Sequence, residues 1–259
     1  MTARFTVEAD MLSLIAAAVP ELAGPGAVAV FEVQSAAGVP DVAAAVFDHD
    51  AIAARADTGF VTDAASLAAL LALSDALGRG RALGAPQVAA AAGVTASYVR
   101  SRVLPGLAAR GLAVMTAPGR WTAVSPYRSP ASSLVTIEAK LRDWRRGLGQ
   151  AARHAAGADA AWLVLDGSCT GPAAMRADWF RAVGVGLAGL GQDGTLQLLL
   201  RPSGAGMLRA RRELLAERLA DLRRSGAVSG PVGQVFGRDL VPSIGADPRH
   251  AGVPERCCR

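Results

Sequence analysis

The chain has 259 residues, 51% of them hydrophobic, and a formal net charge of +5. That length is enough for one large core or two modest ones, and the basic balance permits a polyanionic partner without requiring one. Apolar runs such as Leu12–Val19 and Ala64–Leu73 are too short or too interrupted to span a bilayer. Acidic residues stand at the N-terminus where a secretory signal needs cations, so the expectation is a soluble, cytoplasmic protein with no membrane partner. Cys169, Cys257 and Cys258 have neither the spacing of a disulfide framework nor that of a tetrahedral zinc site, and read as free thiols. Lysine occurs once, at position 140, among 27 lysines and arginines.

In chain order, Ala9–Val19 places Met11, Leu12, Ile15 and Val19 at helical spacing, and Pro20 is expected to end that helix. Ala27–Val33 and Val39–Phe47 read as two buried strands joined through Ala36-Ala37-Gly38, a candidate hairpin. From Thr58 to Ser125 the pattern changes to three helices and a hairpin. The helices are Asp63–Leu77 with Asp63 as its N-cap, Ala85–Ala92 with Pro86 in its first turn, and Ala96–Arg110. The two strands are Leu112–Met115 and Arg120–Val124. Strand character returns with Leu134–Ala139, followed by a helix over Arg142–Ala156, a strand at Ala161–Leu165 and a short helix at Pro172–Ala182. Val183–Ala188 and Thr195–Leu200 form a predicted strand pair, and Ala205–Arg224 an amphipathic helix. Residues 226–259 are Gly/Pro-rich without periodicity and are expected to be disordered. The predicted organisation is a discontinuous α/β core over 1–57 and 126–225, an insert over 58–125, and a tail.

Chemistry concentrates at two strand ends. Pro40-Asp41 opens one strand and Glu138-Ala139-Lys140 closes another, and strand alternation puts Glu138 and Lys140 on one face. Charged groups ending an apolar strand are costly unless paired or bound. Asp41 and Glu138 are hard oxygen ligands suited to Mg²⁺ or Mn²⁺. Lys140 could hold or deprotonate an attacking water and offset charge on a phosphate. The bland alternative is a Glu–Lys pair at a strand end beside a turn aspartate. Other chemistries find no footing. One lysine excludes a phosphate-cradling Gly-x-x-x-x-Gly-Lys loop, no helix opens after Gly184-x-Gly186-x-x-Gly189, and His49, His154 and His250 suggest no triad.

Pro40-Asp41 with Glu138-Ala139-Lys140, each on a predicted strand and the second followed by a helix, resembles the PD-(D/E)xK nuclease superfamily of restriction enzymes and Holliday-junction resolvases. The resemblance implies a restriction-endonuclease-like mixed sheet flanked by helices and a metal-dependent DNA endonuclease leaving 5′-phosphate and 3′-hydroxyl ends. It implies Asp41, Glu138 and Lys140 as the catalytic set, Glu32 as an additional acidic metal ligand, and Gln150 lining the site. It also implies a homodimer. His154 stands where many relatives carry tyrosine. Arg142, Arg146 and Gln150, spaced by four, would lie on one helix face able to meet phosphates. The insert looks like a winged helix-turn-helix, with Ser97, Tyr98, Arg100, Ser101 and Arg102 on its reading helix and Arg120 and Trp121 beside the wing tip. An insert serving protein interaction, or a non-catalytic DNA-binding regulator on a nuclease-like scaffold, remains open at this level.

Overall fold

A computed structural model describes residues 4–204 and 206–226 and the short strands Gln234–Val235 and Arg238–Asp239. The chain runs α1 (Ala9–Ala23), β1 (Val28–Phe31), β2 (Val42–Phe47), α2 (His49–Ala53), α3 (Ala64–Leu77), β3 (Leu83–Gly84), α4 (Ala85–Ala92) and α5 (Ala96–Tyr98). A π-turn over Val99–Val103 leads into α6 (Leu104–Ala109), then β4 (Ala113–Ala117), β5 (Arg120–Ala123), β6 (Ala131–Lys140) and α7 (Trp144–Ala155). There follow β7 (Ala160–Asp166), α8 (Gly171–Ala174), α9 (Ala177–Val183), β8 (Gly186–Leu190), β9 (Leu196–Leu200), α10 (Arg209–Arg224), and the antiparallel pair β10 (Gln234–Val235) and β11 (Arg238–Asp239).

Six strands form a mixed sheet in the order β1-β2-β6-β7-β8-β9. The β6-β7 and β7-β8 pairs are parallel, and the others antiparallel. Alternation along the strands divides the side chains between two covers. Val42, Ala44, Val135, Ile137, Trp162 and Val164 pack under α1 through Met11, Leu12, Ile15 and Val19. On the opposite face, Leu163 and Leu165 meet α7 and Phe180 of α9, while Ala43, Ala45 and Leu134 meet Leu215 and Leu219 of α10. The fold is therefore mixed α/β, a six-stranded sheet flanked by helices.

Several boundaries differ from the sequence expectation for identifiable reasons. Helix α1 continues through Pro20. Leu22 is buried beyond it, its carbonyl accepts from the Trp162 indole at 3.3 Å, and this tertiary packing outweighs the missing amide. Helix α7 begins at Trp144, because the Asp143 side chain accepts the Arg146 amide as an N-cap. Arg142 is left in the preceding bend, off the helical face shared by Arg146 and Gln150. The expected helix over 96–110 is interrupted by the π-turn just before Pro105, whose ring would crowd the carbonyl four residues back in regular α geometry. Helix α2, capped by Asp48 accepting the Ala51 amide at 2.9 Å, was not expected. Helix α10 starts at Arg209 rather than Ala205, which lies outside the described residues. The expected disordered tail contains the β10-β11 pair, and Cys257 and Cys258 lie outside the described residues.

Between β2 and β6 the chain builds a second core. Leu67, Leu70, Leu73, Val88, Val99, Val103 and Leu107 pack together, with Leu214 of α10 joining them. A three-stranded sheet in the order β3-β5-β4 closes this core. A buried polar network ties it to the rest. Glu217 of α10 pairs with Arg55, accepts the Val61 amide at 2.8 Å and accepts the Tyr127 hydroxyl at 2.9 Å. Arg212, one turn earlier, makes a two-pronged pair with Asp159, which in turn accepts the Leu134 amide at 2.8 Å.

Close approach of α7 to the sheet depends on Gly147, where an added Cβ would lie 2.5 Å from Cδ1 of buried Leu163 and 2.9 Å from Cγ of Lys140. Gly147→Val is expected to lower stability in urea titration by about 1–3 kcal/mol through overpacking. Gly149→Ala, on the same helix with open space around it, should instead gain about 0.5–1 kcal/mol. Equal losses at the two positions would refute the packing argument.

Candidate functional site

Strands β2 and β6 pair Val42 with Ile137, so Asp41 and Glu138 are the next residues along the ladder. Asp41 accepts the Ala139 amide at 2.7 Å, which fixes its carboxyl against the end of β6. Lys140 shares the Glu138 face and turns its ammonium back over the strand end. Its Nζ donates to the Ala139 carbonyl at 2.8 Å and lies 3.5 Å from both Asp41 Oδ2 and Glu138 Oε2. Glu8, at the N-terminus of α1, adds a third carboxylate at 3.3 Å from the same nitrogen. The three residues singled out in the sequence thus meet at one point, and Glu8 joins them.

Above them lies a cavity of about 400 Å³ lined by Glu8, Glu32, Val39, Asp41, Lys140, Asp143, Arg146 and Gln150. Glu32 is exposed at its rim and held at φ 49°, an uncommon conformation for a residue with a side chain. Gln150 points a buried Oε1 that has no hydrogen-bond partner. Glu138 is almost wholly buried. The His154 Nε2 lies 2.8 Å from Glu138 Oε1, near enough for a charge pair but off the line of a hydrogen bond, and that oxygen is otherwise unpartnered. The His154 ring is itself confined by Gly38, whose absent Cβ would lie 3.0 Å from its Cε1.

The electrostatics divide the roles. Burial, reinforced by neighbouring Glu138, raises the Asp41 pKa from its ordinary 3.8 to about 6, against the opposing Ala139 amide and Lys140 charge. For Lys140, burial works against the charge, but Asp41, Glu8 and Glu138 together outweigh it and hold its pKa above the ordinary lysine value. Lys140 is therefore an ammonium, able to donate hydrogen bonds and stabilise negative charge.

Among the described residues, no group of three or more His, Cys, Asp or Glu side chains is arranged to hold a metal ion. Glu32, expected as an additional acidic ligand, lines the same cavity as Asp41. Two carboxylates nevertheless match Mg²⁺, which commonly takes one or two protein carboxylates and fills the rest of its shell with water and phosphate. The donors are all oxygen, and the Gln150 Oε1 lining the cavity lacks a hydrogen-bond partner, whereas the Glu138 Oε1 without one faces His154. The residues fit such an ion.

The arginines and the insert residues are placed as follows. Arg146 lines the cavity, whereas Arg142 is exposed outside it. Ser97, Tyr98, Arg100, Ser101 and Arg102 are all exposed along the helical segment that begins with α5. Arg100 and Trp121 line a common depression beside β5. Arg120 reaches the Gln87 side chain at 3.3 Å, tying the β4-β5 hairpin to α4. Sequence reasoning missed Glu8, His154 as a neighbour of Glu138, and Asp143. The last could have been found as an aspartate standing just before the apolar-periodic helix residues, the usual N-cap signal. Glu8 had no local signal, because its role comes from where α1 crosses the end of the sheet.

Comparison with family models, with curated proteins and with solved structures finds no match to this chain. No helix among the described residues is long and apolar enough to cross a membrane.

The raised Asp41 pKa has a defined sign in stability. Between pH 3.8 and about 6 the folded chain keeps a proton that the unfolded chain has released. Stability from this group is thus lost as pH rises through that window, and the full cost is present above it. In metal-free buffer, Asp41→Asn should gain on wild type between pH 4 and 7.5, by about 2–3 kcal/mol on the scale of 1.36 kcal/mol per pKa unit. Parallel stability–pH curves for the two proteins would show that Asp41 is not destabilised by ionisation.

Proposed function

We propose that the protein is a metal-dependent DNA endonuclease of the PD-(D/E)xK type, with Asp41, Glu138 and Lys140 at its centre. The observation that carries this reading is the convergence of these three residues, from adjacent strands, beneath one cavity open to solvent. The sheet supports it further. A helix precedes an antiparallel strand pair, the acid–x–lysine strand follows, and a helix then crosses to a parallel neighbour, as expected for a restriction-endonuclease-like core.

Asp41 and Glu138 would hold Mg²⁺ or Mn²⁺, beside a cavity that Asp41 lines together with Gln150, Glu8 and Glu32. When bound, the ion supplies Lewis-acid polarisation of the phosphate and acidifies a coordinated water. The chain's own residues do the remainder. The Lys140 ammonium donates to a non-bridging phosphate oxygen and offsets the charge that builds there during attack. Arg146 holds a flanking phosphate against the cavity wall. Oxygen from water forms the new bond to phosphorus as that water gives up a proton to solvent, and the bond to the 3′ oxygen breaks as that oxygen takes a proton from solvent, leaving a 5′-phosphate and a 3′-hydroxyl.

Residues 58–125 complete the reading as a winged helix-turn-helix. Three helices and a β4-β5 hairpin, with β3 pairing against β5, are the parts such a module needs. Its reading helix carries Ser97, Tyr98, Arg100, Ser101 and Arg102, and Arg120 and Trp121 stand on the hairpin. In this reading DNA is the partner, a homodimer is the working assembly and the cytoplasm is the compartment.

A second reading, a DNA-binding regulator without turnover, is favoured by one observation: the Lys140 ammonium already pairs with Asp41 and Glu138, the carboxylates that a metal would need. Cleavage assays separate the two. With Mg²⁺ or Mn²⁺, wild type is expected to cut supercoiled, linear or branched DNA, and Asp41→Ala, Glu138→Ala and Lys140→Ala should each lose at least about 100-fold, the scale of removing one electrostatic catalytic group. Titration calorimetry should show cation binding that Asp41→Ala and Glu138→Ala abolish. DNA binding without cutting or cation uptake would establish the regulator instead.

A further inference from the structure

Strand β1 is one edge of the six-stranded sheet and pairs only with β2. The Glu32 amide donates to the Asp41 carbonyl at 3.2 Å. Antiparallel pairs alternate, so Val30 and Val28 also bond to β2, and the main-chain groups of Ala29 and Phe31 point away from the sheet. They border a cavity of about 610 Å³, lined by residues 29–34 on one side and by Arg218, Asp221 and Leu222 of α10 with Thr62 on the other. The Arg218 guanidinium donates to the Gln34 carbonyl at 2.7 Å and closes one end. Ala29 and Phe31 are buried, and buried main-chain donors and acceptors are costly without partners. No residue of Val28–Phe31 is charged or a proline, the usual guards of an open edge. The edge is shaped to take one more strand.

The chain itself supplies that strand. After α10, β10 and β11 pair only with each other among the described residues, as a two-stranded sheet with two residues in each strand. A lone hairpin is marginally stable at best in water and needs a third strand or a packed face. Asp221 and Leu222, which line the cavity, belong to the last turn of α10, so the chain leaves that helix at the mouth of the cavity. Residues 225–233 join α10 to β10 and can span about 30 Å when extended. The edge over 29–34 is only about 20 Å long. A short tether of this kind favours docking within one chain over capture of a separate molecule. A second copy fits less well. Antiparallel pairing of β1 with its own equivalent needs a two-fold axis normal to the sheet, which would bring two copies of α10 to the same face over the same cavity. We propose that the β10–β11 hairpin docks along β1, exchanging main-chain hydrogen bonds with Ala29 and Phe31 and extending the sheet. Glu32 lines both this cavity and the one above Asp41, so the docked hairpin fixes a wall that the candidate site shares. Docking requires nothing of the endonuclease reading.

The test is residue-resolved amide hydrogen exchange, read by NMR on the full-length protein at Ala29 and Phe31, with Val30 as the internal control. Both edge amides should exchange slowly in wild type. Val235→Pro and Arg238→Pro each remove a main-chain donor from the hairpin. Each should speed exchange at Ala29 and Phe31 by about tenfold or more, the scale of one lost hydrogen bond in local stability. Val30, bonded to β2, should keep its rate and so report an intact core. Val253→Pro, beyond the hairpin, should leave all three rates as in wild type. Fast exchange at Ala29 and Phe31 in wild type would overturn the proposal. So would rates that neither hairpin proline alters, or that Val253→Pro alters equally. Protection that ignores the hairpin prolines but weakens on dilution would overturn it in favour of a second copy at the edge.

Discussion

Glu138 sits inside a six-stranded sheet with 1% of its side chain exposed, and a carboxylate there costs several kcal/mol unless its charge is answered. Lys140, two residues on and on the same face, supplies the answer, and Asp41 is brought across the ladder by accepting the Ala139 amide. Packing then follows from the need to seat that cluster. Gly147 lets α7 close over the Lys140 stem, Gly38 leaves room for the His154 ring, and α1 ends its N-terminal approach with Glu8 beside the ammonium. Three carboxylates around one ammonium leave the centre with excess negative charge. Burial, with Glu138 close by, raises the Asp41 pKa.

A second buried cluster sets where the insert stands. Helix α10 faces the main sheet with Leu215 and Leu219 and faces the insert with Leu214, and its charged residues Arg212, Glu213 and Glu217 are buried between them. Glu217 alone gathers Arg55 and Tyr127, which flank residues 58–125, and the Val61 amide within them. Hydrogen bonds to charged groups have stricter geometry than apolar contact. The insert is thereby docked in a defined orientation instead of swinging on linkers.

Much of the architecture was legible because it rests on local periodicity. The β1-β2 hairpin, the strand bearing Glu138 and Lys140, the helix after it, Asp63 as an N-cap and the strand pair at the far edge of the sheet all follow from side-chain alternation, helical spacing and turn residues. Errors fell where long-range contacts overrode a local rule. Pro20 breaks the local pattern, yet Leu22 and Trp162 carry α1 past it; Asp143 captures the helix start and leaves Arg142 outside.

The sequence alone determined which residues were available for chemistry: an aspartate opening one strand, a glutamate and a lone lysine sharing the face of another. Period-two alternation requires that pairing whatever the rest of the chain does. Tertiary structure decided the state of those groups. Three surrounding carboxylates hold Lys140 charged against its burial, and burial with Glu138 close by leaves Asp41 hard to ionise; neither can be read from neighbours in sequence. Glu8, His154 and Gly38 acquire their places in the same way, since each is set by how distant helices and loops cross the sheet.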